Sequence, residues 1–228
     1  DSVCAQVAAL RAAGTEVILV SSGAVGLGMG RLGLKRRPTD VTKKQACAAA
    51  GQSLLTRAYE HALDAHGIIT AQALFTLTDT EDRRRWLNAR QALNTLLDLG
   101  AIPIINENDT VSTGEIRFGD NDRLSVRVAQ MIMADCVVLL STADGLYTDH
   151  PDKNPNAQHI SIIDPITEDH VKMAGDAVAG LSTGGMKSKI EAAQSAVRTG
   201  IHLMMTDGYD LHCLAALHTD KSKRSSLF

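Results

Sequence analysis

Apolar and polar positions alternate along this chain in blocks that predict strands and helices in turn. Short apolar runs such as "TEVILVSSG", residues 15–23, and "AIPIIN", residues 101–106, end at glycine or polar positions, which is typical of buried strands. Longer stretches with helical spacing separate these runs. Because continuous apolar strands that alternate with helices form parallel sheets covered on both faces, the pattern predicts an α/β fold with a mostly parallel central sheet between helical layers.

Capping residues and glycine stops give the expected bounds of these elements. Predicted helices cover residues 2–13, 40–66, 80–99, 121–134, 168–176 and 187–199, and predicted strands cover residues 15–23, 67–75, 101–106, 135–142 and 201–208. In sheets of this kind, ligands bind beyond the carboxyl ends of the strands. Loops that follow strands are therefore the expected places for chemistry.

Length, charge and cysteine usage exclude several classes of protein. The chain has 228 residues, which fits one large domain or two small ones, and a formal net charge of -3. That charge offers no general attraction for nucleic acid or an anionic membrane. The four cysteines lack zinc-type spacing, and no apolar run reaches membrane-spanning length. We therefore expect a cytoplasmic chain with no export signal, no nucleic-acid partner and no membrane anchor.

The first unusual loop is "SSGAVGLGMGRLG", residues 21–33, which follows a predicted strand. Its small residues would let backbone N–H groups approach an anion closely, although a glycine loop with no ligand is the alternative. The loop also contains a formal GxGxxG at Gly28, Gly30 and Gly33, which is typical of dinucleotide-binding dehydrogenases. That interpretation is disfavoured because the motif starts well after the strand, leads into "LKRRPTD" and has no ribose-binding acid after a second strand.

The second loop is "GLSTGGMKSK", residues 180–189, a glycine-rich turn that opens a predicted helix. Backbone amides at a helix start, together with Lys187 and Lys189, suit the β- and γ-phosphates of a nucleotide. The segment is not a P-loop of the usual kind, because Met186 follows Gly185 where that motif has lysine. A glycine turn with a solvated helix start is the alternative.

The third loop is "NENDTVSTGEIRFGDND", residues 106–122, which mixes carboxylates with amides. An amino acid offers an ammonium group that needs oxygen acceptors and a carboxylate that needs donors, and this composition supplies both. Asp122 falls at the start of a predicted helix, where an acid is often only a cap. Coordination of Mg²⁺ by one of these carboxylates stays open.

Five segments in this order, "SSGAV", "NENDTV", "FGDND", "GLYTDHP" and "GLSTGGMKSK", resemble the amino acid kinase family, and within it the branch that acts on glutamate. The resemblance spans nearly the whole chain. It implies a three-layer αβα sandwich in which residues 1–228 form a single domain. It also implies ATP-dependent phosphorylation of the side-chain carboxylate of L-glutamate, the first step of proline biosynthesis, with Mg²⁺. A sister enzyme acting on another carboxylate and a non-catalytic sensing module are the alternatives.

The resemblance also assigns roles to individual residues. It implies that Lys189 stabilises the transferring phosphoryl group and that Asp122 organises the catalytic lysines. The implied glutamate-binding residues are Ser22, Gly23, Asn106, Asp109 and Asn121. The implied nucleotide-binding residues are Ser141, Thr142, Thr183, Gly184, Gly185, Met186, Lys187, Ser188 and Lys189. No residue is assigned as a metal ligand.

Further expectations concern partners and departures from the family pattern. The resemblance implies a homo-oligomer, a dimer or a tetramer, and feedback inhibition by L-proline; Arg84, Arg85 and Trp86 form either a subunit contact or a solvated helix face. The family's first strand, which carries a lysine, does not occur in this sequence, so we expect the polypeptide as written to be weakly active or inactive. A C-terminal RNA-modification-type (PUA) domain is likewise not in the sequence. Thr142 stands where relatives often have aspartate, with Asp144 two residues later.

Overall fold

The computed structural model describes residues 2–111, 121–174, 185–210, 212–214 and 223–228. The chain divides into two compact units, Val3–Leu124 and Ser125–Phe228. Within the described residues, no helix is both long enough and apolar enough to cross a membrane. The cysteines are free thiols, three of them buried and Cys136 exposed.

The first unit is built on a parallel three-stranded sheet with β3 in the middle. Its strands are β1 (Leu19–Val20), β2 (Thr70–Phe75) and β3 (Ile102–Glu107), in the order β1-β3-β2. Its helices are α1 (Ser2–Ala12), α2 (Ala24–Arg31), α3 (Val41–Asp64), α4 (Leu77–Glu81) and α5 (Arg83–Asp98). All six residues of β3 are buried, as expected for a strand paired on both sides and covered on both faces.

The second unit contains a mixed sheet and a small hairpin. Strands β4 (Cys136–Ser141) and β7 (His202–Asp207) pair in parallel, and β8 (Ser225–Leu227) pairs antiparallel with β7. Strands β5 (Leu146–Tyr147) and β6 (His159–Ile160) form the hairpin. The helices are α7 (Glu168–Met173) and α8 (Met186–Val197), while α6 (Asn121–Ile132) includes the boundary at residue 124. The core of this unit gathers buried residues of α8, β4 and β7.

The predicted fold class is confirmed, because parallel strands and intervening helices recur as the pattern indicated. The described strands form two three-stranded sheets and one two-stranded sheet. Several bounds differ from those predicted. The strand expected over residues 15–23 is shorter, Leu19–Val20, and the helix expected over residues 168–176 runs partly outside the described residues.

The helix predicted over residues 80–99 is two helices instead, and the first of them begins earlier than predicted, at Leu77. Asp82 ends α4 and caps α5, since its carboxylate accepts a hydrogen bond from the Arg85 backbone N–H at 2.8 Å. An aspartate in the extended conformation satisfies the first amides of the following helix and turns the chain between the two. Apolar spacing alone does not reveal such a break, because the periodicity continues through it.

The glycine-rich loop predicted over residues 21–33 is wrong for its central part, which forms α2. A Cβ atom on Gly28 would lie 1.7 Å from the Cys47 carbonyl oxygen, and one on Gly51 would lie 1.8 Å from the Ala24 carbonyl oxygen. These two glycines therefore allow α2 and α3 to pack backbone against backbone. Because Gly28 and Gly30 lie inside a helix rather than before one, the dinucleotide interpretation has no geometric support here.

Candidate functional site

In the first unit, several predicted substrate-binding residues lie at the carboxyl ends of paired strands. Ser22 and Gly23 follow β1, and Asn106 lies near the end of β3. The Ser21 backbone N–H donates to the Ile105 carbonyl at 2.8 Å, which extends the pairing of β1 with β3. Gly23 has φ of 112°, a left-handed conformation that favours glycine, and it turns the chain into α2.

The Asn121 side chain joins these strand ends. Its Nδ2, which shares two hydrogens among three acceptors, lies 2.7 Å from the Ser21 carbonyl oxygen, 2.7 Å from Ser22 Oγ and 2.9 Å from Asn106 Oδ1. Ser22, Asn106 and Asn121, predicted from the sequence as substrate-binding residues, are thus brought together. Because Asn121 uses its amino group on the protein, its Oδ1 is left to accept hydrogen bonds, and within the described residues no donor contacts it.

Asn106 is 4% exposed, and each end of its amide is bonded to the protein. Its Oδ1 accepts from the Glu107 backbone N–H at 2.8 Å as well as from Asn121, and its Nδ2 donates to Gln52 Oε1 at 2.9 Å. Sequence reasoning did not identify Gln52, which lies 54 positions away on α3. No local pattern in the sequence signals that contact.

The two predicted acids near this cluster occupy different positions. Asp109 follows β3 and is half-buried. Asp122 lies in the first turn of α6, where a carboxylate interacts favourably with the helix N-terminus. Residues 112–120 of the acidic loop lie outside the described residues. The roles of Asp109 and Asp122 stay predictions.

In the second unit, the predicted nucleotide residues Ser141 and Thr142 lie where β4 ends. The Ser141 carbonyl accepts from the Gly208 backbone N–H at 2.7 Å, and its Oγ accepts from the Ala143 backbone N–H at 3.3 Å. These bonds tie the turn after β4 to the turn after β7. Thr142 is exposed next to this turn.

Asp144, two residues after Thr142, forms part of a side-chain network. The Tyr147 hydroxyl donates to the Asp144 carboxylate at 2.9 and 3.1 Å, and Arg224 Nη1 donates to the Tyr147 hydroxyl oxygen at 3.1 Å. Burial and the neighbouring Asp144 carboxylate raise the pKa of Tyr147, against the opposing effect of Arg224. Asp144 therefore binds the hairpin that follows the turn through Tyr147. Sequence reasoning missed the contact of Arg224 with Tyr147, because the two residues are 77 positions apart.

The start of α8 carries the remaining nucleotide-binding predictions. Gly185 is the N-cap and has no side chain to cap the helix, and Ser188 Oγ donates to the Gly185 carbonyl at 2.9 Å. Lys187 is exposed and Lys189 is half-buried, directly before the fully buried Ile190. Backbone amides at a helix start, with lysines on the first turns, favour an anion. Thr183 and Gly184 lie outside the described residues.

The described residues contain no group of three or more histidine, cysteine, aspartate or glutamate side chains placed to hold a metal ion. Mg²⁺ in nucleotide sites is bound largely by phosphate oxygens and water, with one or two carboxylates. A cage built from protein side chains alone does not fit the described part of this chain.

Comparison with known proteins identifies similar sequences and similar folds. The sequence model of the family described as "Amino acid kinase family" matches residues 1–207. Glutamate 5-kinase of Caulobacter vibrioides is 56% identical over 219 residues, which are 95% of this chain and 58% of the relative. Glutamate 5-kinase of Gluconobacter oxydans is 51% identical over 95% of this chain and 57% of its own length. The protein of the same name from Brucella ovis is 50% identical over 100% of this chain and 60% of its own length.

The chain thus spans somewhat more than half the length of the curated relatives it matches. Among solved structures, carbamate kinase from Giardia lamblia bound to AMP-PNP superposes with a TM-score of 0.66 at 18% identity, covering 98% of this chain and 86% of that one. Isopentenyl phosphate kinase of T. acidophilum superposes with a TM-score of 0.60 at 14% identity, covering 99% and 90%. At these identities the likeness shows a shared fold.

Proposed function

This chain belongs to the amino acid kinase family, and from that membership we propose that it transfers the γ-phosphoryl group of ATP to the side-chain carboxylate of L-glutamate. The product would be L-glutamyl 5-phosphate, in the first step of proline biosynthesis. The observation that carries the proposal is 50% to 56% identity, over nearly the whole chain, to proteins named glutamate 5-kinase. The hydrogen-bonded cluster of Ser22, Asn106 and Asn121 supports it.

The cluster has the polarity that an amino acid requires. Asn121 Oδ1 would accept a hydrogen bond from the substrate ammonium group, and the Asp109 carboxylate would add a negative charge. Since Ser22 Oγ accepts from Asn121, its own hydroxyl hydrogen is left to donate to the substrate α-carboxylate. Gly23 would bring backbone close to the same ligand. Asn106 is bonded to the protein at each end, which favours a supporting role over direct contact.

The second unit would hold ATP and neutralise charge during transfer. A glutamate side chain has a reference pKa of about 4.3, so the nucleophile is ionised at neutral pH and needs no general base. The barrier instead reflects two anions brought together, and positioned cations lower it. Lys189 would contact the transferring phosphoryl group, and Asp122 would orient lysines.

The remaining nucleotide contacts follow from the same proposal. Backbone and side-chain donors at the start of α8 and after β4 would bind the phosphates and the nucleoside: Gly185, Met186, Lys187, Ser188, Ser141 and Thr142. Thr183 and Gly184 stay predictions. Mg²⁺ bound to the phosphates would supply additional positive charge, and no described residue is assigned as its ligand.

Several properties of the whole protein belong to the same proposal. They are a cytoplasmic location, a homo-oligomeric state as a dimer or a tetramer, and feedback inhibition by L-proline. Arg84 and Arg85 are exposed on the first turn of α5, which leaves both the subunit contact and the solvated face open for them.

A hydroxylamine assay on the natural full-length protein tests the proposed reaction. Hydroxylamine traps an acyl phosphate as a hydroxamate, so ATP- and glutamate-dependent hydroxamate with matching ADP release is the expected result. Greater activity with aspartate or N-acetylglutamate would assign the chain to a sister enzyme. Thermal stabilisation by glutamate and ATP without hydroxamate or ADP would identify a non-catalytic binding module instead.

A further inference from the structure

The proposed glutamate site rests on a polar side chain that comes from helix α3. Gln52 Oε1 accepts the hydrogen bond from Asn106 Nδ2 at 2.9 Å, whereas Asn121 contacts Asn106 Oδ1. The same helix also contacts β1, because the Tyr59 hydroxyl lies 2.9 Å from Ser21 Oγ. Helix α3 thus supports both strand ends that carry the cluster.

Backbone groups fix the orientation of both amides in the cluster. The Glu107 backbone N–H can only donate, so Asn106 must turn its Oδ1 toward it and its Nδ2 toward Gln52. The Ser21 carbonyl can only accept, so Asn121 must turn its Nδ2 toward it. Asn106 Oδ1 then accepts from Asn121 Nδ2 as well. The hydrogen bonds therefore run in one direction, from Asn121 through Asn106 to Gln52.

We propose that Gln52 is a positioning residue for the amino-acid substrate, acting through Asn106 to keep Asn121 Oδ1 directed at the substrate ammonium group. This inference rests on the proposed function of the same site. Asn106 is 4% exposed, so water is a poor substitute partner for its Nδ2. Without the Gln52 acceptor, Asn106 would move or rotate to satisfy its amino group, and Asn121 would lose the partner that holds it.

The close contact between α2 and α3 explains how Gln52 reaches this position. Gly51, the residue before it, has no Cβ, and a Cβ there would lie 1.8 Å from the Ala24 carbonyl oxygen. Ala24 is the first residue of α2, directly after Gly23 of the predicted site. The glycine therefore brings this turn of α3 against the site, and the next side chain, Gln52, meets Asn106.

Replacing Gln52 with methionine, which has similar length but no amide oxygen, tests the inference in the full-length protein. We expect Gln52→Met to raise KM for glutamate about tenfold, because the buried Asn106 Nδ2 would lose its acceptor. KM for ATP should stay within about twofold of the wild-type value. Gln91→Met is the matched control, because Gln91 is exposed on α5. It should leave both KM values and the melting temperature unchanged.

A double-mutant cycle with Asn106→Ala separates positioning from general destabilisation. If Gln52 acts through Asn106, Gln52→Met should add little to the glutamate KM or Kd of the Asn106→Ala variant. Full additivity, or an equal rise in KM for glutamate and for ATP, would overturn the inference. Glutamate-dependent hydroxamate formation in the wild type, with an unchanged glutamate KM in Gln52→Met, would refute the inference and leave the proposed function standing.

Gln52→Glu keeps an acceptor of the same reach and covers the case in which Gln52→Met does not fold. Its KM for glutamate should stay within about threefold of the wild-type value, since one partly exposed charge has a modest effect. A tenfold rise in this variant would overturn the role assigned to the acceptor. Absence of hydroxamate formation in the wild type would instead refute the proposed function itself.

Discussion

The two candidate binding regions are held in place by different kinds of interaction. Ser22, Asn106 and Asn121 are joined by side-chain hydrogen bonds of 2.7 to 2.9 Å that end on backbone groups. The start of α8 is held by packing, because Ile190 and Ala193 are fully buried in the core of the second unit. One region is positioned by directional contacts and the other by apolar burial.

This difference matches the ligands proposed for the two regions. An amino acid presents a cation and an anion close together, so a site must control which atom of each amide faces it, and only directional bonds do that. A phosphate chain presents oxygens in many directions. Backbone amides at a helix start already point along the helix axis, so it is sufficient to anchor the helix.

The largest expected effect concerns the contact between α2 and α3. These helices support the hydrogen-bonded cluster of Ser22, Asn106 and Asn121, so this region also depends on close packing. Gly28→Ala should lower the free energy of unfolding by at least about 3 kcal/mol, since its Cβ would lie 1.7 Å from the Cys47 carbonyl oxygen. Gly30→Ala, in the same helix with open space around it, should instead stabilise by about 0.5 to 1 kcal/mol. Urea unfolding measures both, and equal stabilities would contradict the proposed contact.

Core packing beneath Lys189 gives the next largest expected effect. Ile190 is 0% exposed, so Ile190→Ala should cost about 2 to 5 kcal/mol of unfolding free energy, and Ile190→Val about 0.5 to 1.5 kcal/mol. Urea unfolding of the two variants gives the comparison. A cost below about 1 kcal/mol for the alanine variant would mean that packing does not anchor this helix.

Lys189 tests the second region through turnover rather than stability. Lys189→Ala should reduce kcat at least about tenfold, equivalent to about 1.4 kcal/mol of transition-state stabilisation. Lys172→Ala is the control, because the Lys172 side chain is 71% exposed and pairs with the exposed Asp169 at 3.1 Å. Unchanged turnover of Lys189→Ala at saturating substrates would refute its assignment.

The smallest expected effect concerns hydrogen bonds in the first unit outside the site. The Asp79 carboxylate accepts from the Thr76 backbone N–H at 2.7 Å and its hydroxyl at 2.6 Å, and pairs with Arg85 at 3.0 Å. Burial acts to raise the pKa of Asp79, but these partners outweigh it and hold the pKa below its ordinary value. Asp79→Ala should cost about 1 kcal/mol near neutral pH.

The pH dependence of that cost has a definite sign. A carboxyl group with a lowered pKa in the folded state contributes stability above its unfolded pKa of about 3.9, and loses it as pH falls through the folded value. The stability difference between wild type and Asp79→Ala should therefore shrink in acid. Asp98→Ala, at an exposed position of α5, should stay near zero throughout. A difference that grows in acid would contradict the lowered pKa.

Elements defined by interactions between near neighbours in the sequence could be predicted, and those that depend on distant residues could not. The strands over residues 67–75, 101–106, 135–142 and 201–208 were predicted, because apolar runs and turn residues act between near neighbours. Hairpin β5–β6 and strand β8 were missed, since two- and three-residue strands leave no readable period. The same limit applies to α2, whose glycines indicated a loop until the contact with α3 explained them.

By itself, the sequence determined the α/β class, most of the helices and strands, and through motif resemblance the family and the residues proposed for glutamate and ATP. Only the tertiary structure decided which residues support them. Gln52 contacts Asn106, Tyr59 contacts Ser21, and Arg224 contacts Tyr147. Periodicity and capping depend on residues a few positions apart, whereas a hydrogen bond across 54 or 77 positions depends on where the backbone places both partners.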